Sequence, residues 1–175
     1  RADSVIVDPH KWLFAPFDAC ALIYRDPAQA RAAHTQHAEY LDHLTEKPDW
    51  NPSDLAVQLT RRARGLPFRS SPATHGTAQY RAPVAHGITL AREIADGIER
   101  RPGLSLVREP QLSVVVFRRD GWTLAQYQAW SDQLLEDQQG FVVPSSHAGE
   151  PVLRFAIISP LTTMDTLLGI LDTLD

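Results

Sequence analysis

Asp8-Pro9-His10-Lys11-Trp12 carries more chemistry than any other stretch of this chain. It follows a short apolar run, Ser4 to Val7, and loops that leave strands commonly present functional groups. A proline fixes the backbone ahead of the histidine, and an aromatic follows the lysine. A partly desolvated lysine amine offers a neutral nitrogen that can attack a carbonyl carbon. Composition sharpens the point: of 17 lysines and arginines, only Lys11 and Lys47 are lysines. Arginine cannot lose its proton to become a nucleophile, whereas lysine can. A lysine kept in an apolar setting therefore asks for a chemical reason. The plainer reading is a solvated His-Lys pair in a loop, and residue types alone leave it open.

Other candidates are weaker. Arg154 sits in Val152-Leu153-Arg154-Phe155, which reads as a buried strand. A buried arginine needs an anionic partner, so a structural ion pair is expected there. Arg61, Arg62 and Arg64 form a basic cluster, read as packing and salt bridges. His147 lies in a Ser-Ser-His-Ala-Gly loop without the nucleophile elbow of a Ser/His hydrolase. No histidine or cysteine cluster has metal-ligand spacing. Trp122 and Trp130 flank an amphipathic helix and read as packing residues.

The elements that must position these groups follow from apolar periodicity. Ser4–Val7 is expected as a short buried strand closed by Asp8 and Pro9, and Cys20–Tyr24 as a second. Pro27 to about Gln36 is Ala-rich and helical. Tyr40 to Pro52 mixes charges with two prolines and no period, as a mobile loop does. Thr77 can cap a long helix carrying Tyr80, Val84, Ile88, Ala91, Ile94 and Ile98 at helical spacing. Pro102 and Gly103 stop that helix. Strands are then expected at Leu104–Val107 and Ser113–Phe117, and a helix at Leu124–Leu135. Strands at Phe141–Val143 and Val152–Ile158 and a helix at Leu161–Leu174 complete the chain. From about residue 85 this is an α+β pattern, a small sheet backed by helices.

The bulk numbers bound the function. The chain has 175 residues, 43% of them hydrophobic, enough for one sizeable core or for one domain plus part of another. A formal net charge of −4 gives no reason to expect nucleic acid or an anionic membrane as partner. No apolar run is long enough to span a bilayer. A single cysteine, Cys20, rules out an internal disulfide framework and fits a reducing, cytoplasmic setting. The chain opens on Arg1 and enters an apolar run at once, so it reads as a piece of something longer.

Ser4 to Leu13, followed by Phe17-Asp18-Ala19-Cys20-Ala21, resembles the lysine segment of the group II pyridoxal-phosphate (PLP)-dependent amino-acid decarboxylases. That family includes aromatic-L-amino-acid and glutamate decarboxylases. The resemblance continues through Arg61 to Phe68, Thr74 to Thr77, Leu112 to Arg118 and Gly149 to Phe155, in the right order over nearly the whole chain. It implies an α/β fold. Residues 1–84 would be the C-terminal part of a PLP-dependent transferase-like (fold type I) large domain, with a catalytic loop at about 38–52. Residues 85–175 would be the small C-terminal α+β domain. The implied activity is α-decarboxylation of an L-amino acid by a homodimer. Aromatic substrates lead slightly, with glutamate and diaminobutyrate behind.

By the same resemblance, Lys11 holds PLP as a Schiff base, and the protonated ring serves as electron sink. His10 and Asp8 match positions at the cofactor's phosphate end. A carboxylate near a phosphate is unfavourable unless the backbone N–H makes the contact. Tyr40 matches a tyrosine on the mobile loop that returns a proton to carbon after CO2 leaves; a phenol on a lid suits the task. Phenylalanine there would favour relatives that oxidise their substrate to an aldehyde.

Two departures weigh against activity of the chain by itself. Arg69, Ser70 and Pro72 stand where relatives carry bulky apolar residues inside a helix. Proline inside a helix costs about 3 kcal/mol or more, so the helix is expected to break near Pro72. The family's ring-stacking residue, the aspartate at the pyridine nitrogen and most phosphate ligands precede the lysine by a long stretch. An amino-terminal half of the large domain is therefore expected as a partner, covalent or separate. The rival readings are a non-catalytic remnant or interaction domain of this fold, and a different PLP reaction.

Overall fold

The computed structural model describes residues 1–34 and 52–174. They form two compact units, Arg1–Gly76 and Thr77–Asp175. The boundary expected at 84/85 falls inside a helix of the second unit.

In the first unit, strands β1 (Ser4–Val7) and β2 (Ala21–Tyr24) pair antiparallel, with Val7 opposite Ala21 and Ser4 opposite Tyr24. Helix α1 (Pro27–His34) follows, then a 3-10 turn at Pro52–Leu55 and helix α2 (Gly65–His75). β1 was expected to be buried and is not. Val5 and Ile6 are exposed, as are Leu22 and Ile23 opposite them. The hairpin has β-branched and apolar residues on both faces, the pattern of a strand covered on both sides. Among the described residues nothing covers either one. The buried apolar residues described in this unit are all small: Pro9, Ala15, Ala19, Ala30 and Ala56.

Helix α2 corrects the expectation of a break near Pro72. It runs without interruption from Gly65 to His75 with Pro72 inside. None of its residues is buried, so water can solvate the Phe68 carbonyl that the proline leaves without its helical donor. The hydroxyls of Ser70 and Thr74 also donate back to the carbonyls of Leu66 and Ser70, at 3.0 and 2.8 Å. Exposure removes the desolvation cost that makes proline and arginine intolerable in a packed helix. Gly76, at φ +76°, ends it and donates its N–H to the Pro72 carbonyl.

The second unit holds the real core. A four-stranded antiparallel sheet has the order β3-β4-β6-β5. Its strands are β3 (Leu104–Leu106), β4 (Val114–Arg119), β5 (Ser145–His147) and β6 (Glu150–Ala156). Helices α3 (Ala78–Glu99), α4 (Leu124–Glu136) and α5 (Met164–Asp172) supply the other half of the core. Val115, Phe117, Leu153 and Phe155 point inward and meet Ile94, Ile98, Leu134 and Leu171. Tyr127 is buried among them. Its hydroxyl accepts from the Arg119 N–H at 2.8 Å and donates to the Arg119 carbonyl at 3.0 Å. Thr123 and Gln126 form a capping box at the start of α4. Gly103 is obligatory: at φ +76°, a Cβ there would lie 2.0 Å from the Arg119 guanidinium, which bonds the Gly103 carbonyl.

Three further expectations are corrected here. No strand forms at 141–143. Phe141 and Val143 point to solvent, while the buried Val142 gives its carbonyl to the Ser131 hydroxyl at 2.7 Å. That segment docks on α4 instead of joining a ladder, and the strand begins later, at Ser145. Arg154 is exposed. It stands opposite Val116 on the sheet face away from the helices and makes no ion pair with any described residue. Strand alternation explains this, since Leu153 and Phe155 take the inward places. Thr77 has helical backbone angles and makes no side-chain cap bond, so α3 starts without the expected cap.

The buried wall of the second unit sets a stability expectation. Leu153→Ala should destabilise this unit by about 2–5 kcal/mol in a urea titration. Pro72→Ala should slow amide exchange across residues 69–76, because it restores the missing helical N–H.

Candidate functional site

The lysine loop is a run of tight turns hung between β1 and β2. Lys11 N–H donates to the Asp8 carbonyl at 3.0 Å, Phe14 N–H to the Lys11 carbonyl at 3.3 Å, and Ala15 N–H to the Pro9 carbonyl at 3.0 Å. Pro9 and Ala15 are buried, which pins the loop from inside, while Lys11 faces outward. The turn places the side chains of Asp8 and Lys11 side by side, and Nζ donates to Oδ2 at 2.7 Å. The Lys11 side chain is 61% exposed and that of Asp8 31%. The amine is thus accessible and has one acidic partner among the described residues.

Asp8 carries a second contact. One residue past the Val7–Ala21 pair, it lies across the hairpin from Cys20, whose thiol also acts on its carboxylate. The Lys11 hydrogen bond, first, and that of Cys20 hold the Asp8 carboxyl below its usual range. Lost hydration around the sulfur, then the Asp8 carboxylate, push the Cys20 thiol up. Cys20 is therefore poorly suited to act as a thiolate nucleophile.

His10 turns to the other side of the loop. Its Nδ1 lies 2.5 Å from the Ala19 carbonyl and 3.2 Å from the Ala19 N–H. Phe17 meets the imidazole edge-on, with ring centroids 5.0 Å apart. His10 is thus held by the loop backbone at Ala19. It also lines an open cleft of about 530 Å³ together with Asp18, Cys20, His34, Arg61 and Arg64. Lys11 is not part of that lining. Trp12 keeps its indole N–H out of water without an acceptor among the described residues.

The basic cluster braces this loop. Arg64 Nε donates to Asp18 Oδ1 at 3.0 Å, and Arg62 approaches the same oxygen at 3.7 Å. Arg61 reaches the Pro52 carbonyl at 3.4 Å. Arg31 Nε donates to Asp54 at 3.0 Å, tying α1 to the 3-10 turn. The structural role read from the sequence for Arg62 and Arg64 is what the geometry displays. Asp18 received no role from the sequence, although it stands in the Phe17 to Ala21 motif. No local pattern reveals that its partner lies 46 residues away. Tyr40, Lys47 and the loop at 38–51 lie outside the described residues.

The Arg64 hydrogen bond, as the largest cause, holds the Asp18 carboxyl below its ordinary value of 3.8. A carboxyl depressed by folding stabilises the fold above its unfolded titration range, and that contribution is lost as pH falls through the folded value. Arg64→Ala should return the Asp18 titration toward its ordinary value, read by carboxyl-carbon NMR. It should also remove Asp18's share of the acid sensitivity of the lysine loop.

The chain matches the family model described as the pyridoxal-dependent decarboxylase conserved domain over residues 1–120. It is 28% identical to an aromatic-L-amino-acid decarboxylase of Bacillus atrophaeus, over 98% of this chain and 38% of that protein. It is 29% identical to a 3,4-dihydroxyphenylacetaldehyde synthase of Aedes aegypti, over 89% of this chain and 30% of that protein. The crystal structure of an Oryza sativa TDC with PLP and tryptamine superposes with a TM-score of 0.85 at 23% identity, covering 99% of this chain and 39% of that one. The chain therefore spans less than two-fifths of the length of each of these relatives, and the solved structure speaks to the fold alone, a fold type I α/β fold. With its first 120 residues matched, this chain belongs to the pyridoxal-dependent decarboxylase family, whose cofactor is PLP.

Proposed function

We propose that this chain supplies the lysine-bearing part of a PLP enzyme that removes the α-carboxylate of an L-amino acid. The observation that carries the reading is the Lys11 amine, presented 61% exposed at the tip of a turn pinned by buried Pro9 and Ala15. The donor chemistry fits the cofactor at this end. An aldehyde requires an accessible primary amine, and Lys11 would hold it through Nζ. Bound there, PLP supplies the electron sink that stabilises charge left on carbon when CO2 departs.

The remaining tasks fall to the chain's own side chains. Phe17 and the Ala19 backbone fix the His10 imidazole at the rim of the open cleft. Arg64 and Asp18 hold the loop against residues 61–64. Tyr40 is proposed as the donor that protonates carbon after CO2 loss, and its phenol favours decarboxylation over aldehyde formation. The first relative's name supports an aromatic L-amino acid as substrate; glutamate and diaminobutyrate rank behind.

The exposed apolar hairpin supports a longer or two-chain enzyme, because its residues gain by burial about 25 cal/mol per Å² of apolar surface. A homodimer in a reducing cytoplasm is part of the same proposal. A second reading, a non-catalytic remnant of the fold, is favoured by the small size of the first unit's buried apolar residues, Pro9 and four alanines.

Borohydride trapping separates the two. The chain is mixed with near-stoichiometric PLP, reduced, digested and mapped by mass spectrometry. The only lysines are Lys11 and Lys47, so Lys47 serves as internal control. Selective pyridoxylation of Lys11, lost in Lys11→Arg, is expected. Equal labelling of both lysines, or none, would move the remnant reading ahead. Decarboxylation of aromatic amino acids should then appear when a complementary amino-terminal part is added.

A further inference from the structure

Asp8 spends its carboxylate on the lysine it precedes. Three features make this a built contact and not a chance surface pair. The Lys11 N–H to Asp8 carbonyl bond fixes the turn that puts both side chains on one side. The register of β1 against β2 places Cys20 across the hairpin from Asp8, while Lys11 Nζ bonds the carboxylate at 2.7 Å. Asp8 is also half as exposed as Lys11, so the acid is the fixed member and the lysine the mobile one. The titratable groups acting on Asp8 are Lys11, Cys20 and His10.

We infer that Asp8 is the positioning residue of Lys11, a docking carboxylate that receives the lysine side chain whenever its amine is not bonded to a carbonyl. This rests on the proposed role of Lys11. The paired ammonium has no lone pair to offer, so the lysine reacts only after leaving Asp8 and giving up a proton. When a substrate amine displaces the lysine, the carboxylate is in place to receive it, and Lys11 stays beside the site instead of wandering in solvent. The same negative charge repels a phosphate dianion.

Competitive acetylation with trace acetic anhydride tests this without any cofactor. The Lys11 to Lys47 labelling ratio in the full chain at neutral pH is read by mass spectrometry. Asp8→Asn should raise it roughly two- to five-fold, the size expected for loss of a partly exposed ion pair. Raising salt should raise the ratio in the unsubstituted chain as well, because screening weakens the pair without any substitution. A ratio unchanged by both Asp8→Asn and salt would overturn the inference. The two proposals fail separately. Selective PLP trapping on Lys11 with no Asp8 effect would sink only the docking role. An Asp8 effect without selective trapping would leave the docking contact standing and remove the cofactor assignment.

Discussion

The backbone hydrogen bond from Lys11 N–H to the Asp8 carbonyl is the constraint on which the site depends. It closes a turn as soon as β1 ends, and every local feature follows from that closure. The lysine is thrown to the outside, the acid is left beside it, and His10 is sent to the other flank. Proline at the second position of the turn removes backbone freedom that would otherwise have to be given up on folding. Burial of Pro9 and Ala15 keeps the turn from opening. A flexible loop of the same composition would leave the amine solvated and its distance to any partner undefined.

The two units hold together by different physics. In the second, Phe117, Tyr127, Ile94 and Leu153 are taken out of water against three helices, and burial of this kind is the dominant favourable term in folding. In the first, the buried apolar residues are Pro9 and four alanines, and order comes largely from polar ties: Arg64 to Asp18, Arg31 to Asp54 and His10 to Ala19. Ties of this sort are directional but weak when exposed. They can orient a lysine loop, yet they contribute little to keeping it folded. The apolar faces of β1 and β2 are the unused resource of this unit, which is why the functional reading calls for more protein around it.

Helix α2 shows how a local rule yields to solvent. Pro72 and Arg69 break the pattern of a packed helix, and the sequence alone argues for a break. The helix persists because none of its residues is buried, so neither a charge nor an unpaired carbonyl has to leave water. Arg154 teaches the converse. A string of apolar neighbours made its strand look buried, but alternation sends arginine to the open face while Leu153 and Phe155 fill the core. At 141–143 three residues with strand-like character lack a ladder, because Val142 finds its partner in the Ser131 hydroxyl.

The sequence by itself determined the lysine, its family and most of the elements. The apolar period of α3, the alternation in β4 and β6 and the Pro-His-Lys motif are local properties of the chain. Local properties survive without knowledge of distant partners. Only the tertiary structure decided that the Asp8 carboxylate meets the Lys11 amine, that Asp18 takes Arg64 and Arg62, and which faces of β1 and β2 stay open. The Arg64–Asp18 tie depends on residues 46 positions apart, and the open faces depend on what packs, or fails to pack, against the hairpin. An ion pair has no sequence period, because its energy depends on the distance between two charges and not on the residues between them.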